Sequence, residues 1–120
     1  MKTISRLALA AVALFTMSCG TERGTEFQVT SPDGSLVVEV STAENLTYKV
    51  TRHGTPLLDS SAAAMHFADG REIGVGVGEV KAKRSTMHRT IDSPLYRQES
   101  ITEHYNQLSL NLGDGASVTF

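Results

Sequence analysis

From Phe27 onward apolar side chains recur at every second position, which is the period of a strand with one dry face. No long window keeps the i, i+3, i+4 stripe of a helix. Phe27 and Val29 share a face and stop at Ser31-Pro32-Asp33-Gly34, where Pro32 presets the first turn dihedral and Gly34 tolerates positive φ. The chain reverses into Leu36, Val38 and Val40, turns at Ala43-Glu44-Asn45, and returns through Leu46, Tyr48 and Val50. A turn at Arg52-His53-Gly54-Thr55 then precedes Pro56-Leu57-Leu58. Together these segments predict a three-stranded antiparallel meander with Tyr48 facing the core.

Beyond Asp59 the rhythm weakens. Ala63, Met65 and Phe67 share a parity, although the Ala-rich stretch also suits one short helical turn, and Asp69-Gly70 marks a turn. Ile73, Val75 and Val77 alternate with Gly74, Gly76 and Gly78, which predicts a glycine-alternating strand that permits close backbone approach. The segment from Glu79 to Thr90 carries Lys81, Lys83, Arg84 and Arg89 with few apolar residues, and predicts an exposed strand pair or a long loop. Ile91-Asp92-Ser93-Pro94-Leu95 predicts a further turn. Ile101, Glu103 and Tyr105 then oppose Thr102, His104 and Asn106, and Leu108, Leu110 and Leu112 give the clearest alternation of all. Gly113-Asp114-Gly115 is a hairpin signal, and Ala116, Val118 and Phe120 begin a return strand. The predicted fold class is all-β, an antiparallel β-sandwich over residues 27–120. Because the pattern stops in mid-strand at Phe120, the sandwich is expected to be incomplete, the front of something longer.

Ahead of this domain, Lys2 and Arg6 precede an apolar run from Leu7 to Met17 that meets Ser18-Cys19-Gly20. A charged start, a short apolar stretch and a small-residue cleavage zone make a secretory signal over residues 1–18, preceding the sandwich as a signal-peptide helix. The run is shorter than the roughly 20 apolar residues that span a bilayer. Cys19 directly follows Ser18, as in a bacterial lipoprotein signal, which implies lipidation of Cys19 and a lipid-anchored place in the periplasm or outer membrane. Thr16-Met17-Ser18 would also serve as an ordinary cleavage site, leaving Cys19 as a free thiol. Residues 19–26, small and polar, read as a tether between lipid and domain.

Composition narrows the function classes. The 120 residues hold 11 basic and 13 acidic side chains and form no basic stripe, which argues against nucleic acid as a partner. One cysteine excludes an internal disulfide and a four-cysteine zinc site. Gly74 to Gly78 lacks the third glycine of a dinucleotide fingerprint, and no Gly-Lys-Ser/Thr follows for a phosphate loop. The four histidines, at positions 53, 66, 88 and 104, fall in no compact ligand spacing. Adjacent Glu103 and His104 point to opposite faces of a strand, so they cannot clasp one metal. Glu99, Glu103 and Tyr105 share a parity and resemble a sugar-contacting patch, but a solvated strand face is the simpler account of them. No Gly-x-Ser-x-Gly elbow occurs, and tryptophan, the usual platform of carbohydrate-binding modules, is absent. No catalytic, cofactor-binding or metal-binding residue is expected in this chain.

Several segments in order carry a family resemblance. Val29-Thr30-Ser31-Pro32-Asp33-Gly34-Ser35-Leu36, Leu46-Thr47-Tyr48-Lys49-Val50, the turn with Gly54, Pro56-Leu57-Leu58-Asp59-Ser60 and His104-Tyr105-Asn106-Gln107-Leu108-Ser109-Leu110 resemble the start of family 97 glycoside hydrolases. The resemblance implies a lipid-anchored or periplasmic α-glycosidase, acting on an α-glucan or α-galactoside, from a Bacteroidota-like bacterium. It further implies that an N-terminal β-supersandwich packs on a (β/α)8 barrel, which holds the catalytic carboxylates and most ligands of an expected calcium ion. This chain would then supply a supporting, carbohydrate-binding portion and be inactive alone. The alternative is a free-standing surface lipoprotein whose β-sandwich binds glycan or a partner protein.

Overall fold

The computed structural model describes residues 20–92 and 100–120. Cys19, the leader and, of the turn expected at Ile91-Asp92-Ser93-Pro94-Leu95, the part from Ser93 on lie outside the described residues, while Ile91 and Asp92 stand in a strand. Among the described residues the chain is all-β and antiparallel. It runs β1 (Thr21–Gly24), β2 (Glu26–Thr30), β3 (Leu36–Ser41), β4 (Thr47–Arg52), β5 (Thr55–Ala62), β6 (Met65–His66), β7 (Glu72–Ile73), β8 (Val80–Asp92), β9 (Ser100–Gly113) and β10 (Ala116–Thr119).

The meander is present with one strand more than the pattern predicts, in the order β2-β3-β4-β5. Its fourth strand was hidden because β5 is exposed almost throughout and carries no alternation. His53 and Gly54 both adopt positive φ, 48° and 77°, the combination that a two-residue hairpin loop requires. A second sheet, β1-β8-β9-β10, faces the meander, and β6 and β7 form a separate two-stranded hairpin. Between the large sheets lie Phe27, Val29 and Val40 from one side and Val80, Ala82, Leu108 and Leu110 from the other, with Leu46 at the edge. Tyr48 packs against this cluster and tilts against Phe120, ring centroids 5.5 Å apart. A dry layer between two antiparallel sheets is the sandwich that the two-residue period predicts.

Three expectations are corrected. Residues 21–24, read within the tether, are the strand β1, paired from Thr21 opposite Lys83 to Gly24 opposite Val80. Its side chains are polar, and only its backbone hydrogen bonds make it a strand. The segment from Glu79 to Thr90 is neither a strand pair nor a loop. From Val80 it belongs to β8, a single strand matched with β9 from Lys81 opposite Asn111 to Asp92 opposite Ser100. Gly74, Gly76 and Gly78 do not alternate along a strand, for all three adopt positive φ, and the segment crosses the 44–46 turn as a strap. β10 pairs with β9 along one edge, and beyond it Leu108 and Phe120 exchange both backbone hydrogen bonds at 2.9 Å.

The Ser31–Leu36 turn that positions β3 is built around one carboxylate. Asp33 accepts bonds from the hydroxyl of Ser31 at 2.6 Å and from the backbone N–H of Ser35 at 3.0 Å. Chiefly the Ser31 hydroxyl, then the Ser35 amide, hold its carboxyl down at about 2. A carboxyl depressed on folding stabilises the fold fully above its ordinary value of 3.8, and that contribution is lost as pH falls toward 2. Acid titration of the wild type is therefore expected to destabilise this turn between those limits. Asp33→Asn should flatten that part of the stability-versus-pH curve measured by chemical denaturation, and an unchanged curve would refute the assignment.

Candidate functional site

Two places gather polar chemistry. The first is a shallow cleft of about 320 Å³ where the glycine strap meets the start of β8, lined by Arg23, Val77, Glu79, Lys81, Asn111 and Gly113 among others. Glu79 stands 3.8 Å from Arg23. The cleft thus brings one carboxylate to a guanidinium, whereas glycoside cleavage by the common mechanism needs two carboxyl groups across the scissile bond. The calcium ion that the resemblance implies finds no matching donor set here: among the described residues, no three His, Cys, Asp or Glu side chains converge.

The second place is the far half of the β8–β9 ribbon. Successive strand residues face opposite sides, and the two faces of this ribbon exchange character along its length. Near the core, the even-numbered positions Val80, Ala82, Leu108 and Leu110 are buried while Lys81 and Lys83 are exposed. Farther out, Met87, Ile91, Ile101 and Tyr105 fall on the odd-numbered face, and the even-numbered face turns polar with Thr86, His88, Thr90, Thr102, His104 and Asn106. Met87, Ile101 and Tyr105 are large, apolar and exposed. Between them Arg89 donates from Nε to Oε2 of Glu103 at 2.6 Å. That bond, and then the Glu103 charge, hold the guanidinium further in its cationic form.

On the other face His88 stands directly opposite His104, with ring centroids 4.9 Å apart and the rings nearly edge to face. Nearby, Asn106 bridges the sheets by donating from its side-chain nitrogen to the Thr30 carbonyl at 2.7 Å and accepts from the Thr86 hydroxyl at 2.8 Å.

The sequence-level candidates therefore separate. Cys19 and Glu99 lie outside the described residues. Glu103 and His104 do face opposite ways, each with its own cross-strand partner. His53 occupies the β4–β5 turn, and His66 pairs through Nδ1 with Glu72 at 2.9 Å. The basic cluster does not act as one patch: Arg84 turns to Glu22 and the Gln28 carbonyl, and Arg89 to Glu103. The His88–His104 juxtaposition was missed because the two residues are 16 positions apart. Reading β8 and β9 as one hairpin in mirror register would have found it.

Comparison with known proteins agrees with this architecture. The family described as Glycosyl-hydrolase 97 N-terminal matches residues 29–120. A retaining alpha-galactosidase of Bacteroides thetaiotaomicron is 30% identical over 120 residues, all of this chain and 18% of the relative. The chain thus spans under a fifth of that protein's length. Among solved structures, a glycoside hydrolase family 97 enzyme from a Pseudoalteromonas species in complex with acarbose superposes with a TM-score of 0.64 at 15% identity, covering 70% of this chain and 13% of that one. A variant of a Pseudoalteromonas family 97 enzyme in complex with panose gives the same values. With the family matching from β2 to Phe120 and the same sandwich in its solved members, the chain belongs to the N-terminal domain family of the family 97 glycoside hydrolases.

Proposed function

We infer that this chain serves as the supporting N-terminal domain of a family 97 α-glycosidase acting on an α-galactoside or α-glucan. Catalytic carboxylates and calcium would come from polypeptide outside these 120 residues. The observation that carries this reading is the reversed far half of the β8–β9 ribbon. Met87, Ile91, Ile101 and Tyr105 line the side away from the sandwich core, an apolar face that a further domain of the same enzyme would cover. The polar face of the same ribbon offers the hydroxyl and amide groups that bind sugar hydroxyls. In this reading Cys19 carries the lipid and the enzyme works in the periplasm or on the outer membrane.

The genomic reading frame provides the test. Coding sequence for a (β/α)8 barrel in continuation of codon 120 is expected, and the enzyme it completes should hydrolyse an aryl α-galactoside or α-glucoside that residues 20–120 alone leave intact. A stop codon followed by unrelated sequence, with a purified chain that is monomeric and binds glycan, would instead establish the free-standing lipoprotein.

A further inference from the structure

The geometry points to a metal-binding site at His88 and His104 that takes a late first-row divalent cation such as Ni²⁺, Cu²⁺ or Zn²⁺. The two imidazoles face each other across the β8–β9 ribbon at directly opposed register positions. Opposed β-carbons stand about 4.5–5.5 Å apart, close enough for two rings to reach one point above the sheet. With metal–nitrogen bonds of about 2.0–2.1 Å and angles between square and tetrahedral, the centroids of two chelating imidazoles are about 4.5–5.2 Å apart. The observed 4.9 Å falls inside that interval.

The surroundings favour binding. Both histidines are exposed, so neither must shed a buried partner, whereas His66 is engaged by Glu72. Their neighbours along the face are Thr86, Asn106, Thr90 and Thr102, uncharged residues that neither repel a cation nor compete as anions. The nearest ion pair, Arg89 with Glu103, points to the opposite face. Imidazole is an apt donor for Zn²⁺, Cu²⁺ and Ni²⁺, and affinity should be highest for Cu²⁺. With two protein ligands, the remaining positions are held by water and stay available to a donor from whatever packs on this face. A metal here would clip the two strands together in the far half of the ribbon, stiffening the segment that extends past the core.

The test titrates the purified chain with Ni²⁺ at pH 7.5 by calorimetry and takes the electron paramagnetic resonance spectrum of the Cu²⁺ form. Near-stoichiometric binding is expected, weakened at least tenfold by His88→Gln or by His104→Gln and by less than twofold by His66→Gln. The Cu²⁺ spectrum should show coupling to two imidazole nitrogens that falls to one in either single variant. Affinity unchanged in the His88→Gln/His104→Gln double variant would overturn the site. Should either variant lose its fold by circular dichroism, the wild-type proton spectrum decides. Zn²⁺ must perturb the ring resonances of both His88 and His104, and perturbation of neither overturns the proposal.

Discussion

Replacing Gly74 by alanine is expected to cost about 3–4 kcal/mol of folding stability, the sum of a left-handed backbone penalty and an overpacking penalty. Gly74 adopts φ +85°, and a β-carbon built there would lie 2.2 Å from the Ala63 carbonyl oxygen and 3.3 Å from the Ala64 α-carbon. Both are backbone atoms, so no side chain can swing aside. The same carbonyl-bearing strap holds the meander's turn in place: Leu46 N–H donates to the Gly74 carbonyl at 2.7 Å and Ala63 N–H to the Leu46 carbonyl at 2.9 Å. Thr42, fully buried, adds a bond from its hydroxyl to the Gly78 carbonyl at 2.7 Å. Shifting Gly74 to make room would therefore pull on Leu46, whose side chain is part of the core. Gly76→Ala is the control. That residue also adopts positive φ, +60°, yet has nothing within 4 Å, so the expected loss is only the backbone part, about 1–2 kcal/mol. Urea denaturation of the two variants should separate them clearly. Equal losses would show that the close approach to Ala63 carries no cost.

Leu110→Ala is expected to destabilise by about 2–5 kcal/mol, a range set by how far the neighbours collapse into the space left behind. Leu110 is fully buried between the sheets and pairs with Ala82 across β8 and with Val118 across β10. Since Ala82 is already small, little side-chain volume beside Leu110 can fill the cavity, which places the loss in the upper half of that range. Leu108→Ala should fall lower, because Tyr48 and Phe120 lie along the same edge of the core and can lean inward. Leu57 provides the comparison. It is 60% exposed on β5, and its truncation should change stability by less than about 0.5 kcal/mol. Midpoints of denaturant unfolding at constant slope check all three, and a Leu57→Ala loss as large as that of Leu110→Ala would mean that β5 is covered in solution.

The legibility of these features in the sequence follows from which force shapes each of them. Strands β2, β3 and β4 and the inner half of β9 could be read directly, because burial on one face demands an apolar residue at every second position. Turns were equally plain where one residue type is required, as at Asp33-Gly34, His53-Gly54 and Asp114-Gly115. By contrast β1 and the outer part of β8 are held by backbone hydrogen bonds, which all residues except proline make alike. Their side chains are largely exposed, so burial does not mark them out. The glycines from Gly74 to Gly78 signal close approach but not the strap itself, since alternating glycines fit either an extended chain or a series of left-handed residues.

The candidate site divides along the same line. Lys81, Lys83, Arg84 and Arg89 look like one cluster in sequence, yet alternation along β8 sends Arg84 to the face opposite the other three, and Arg84 and Arg89 take different partners. His88 and His104 look unrelated, yet the register places them ring to ring. By itself the sequence determined an all-β chain, most of its turns and its dry face, because solvent exclusion and turn sterics act on neighbours along the chain; its kinship with the family 97 N-terminal domains rested on the ordered segments that resemble them. Only the tertiary structure decided which polar strands pair, where the ribbon exchanges its faces and which histidines meet. Those outcomes depend on long-range register, and backbone hydrogen bonds leave no mark of register on the residues that make them.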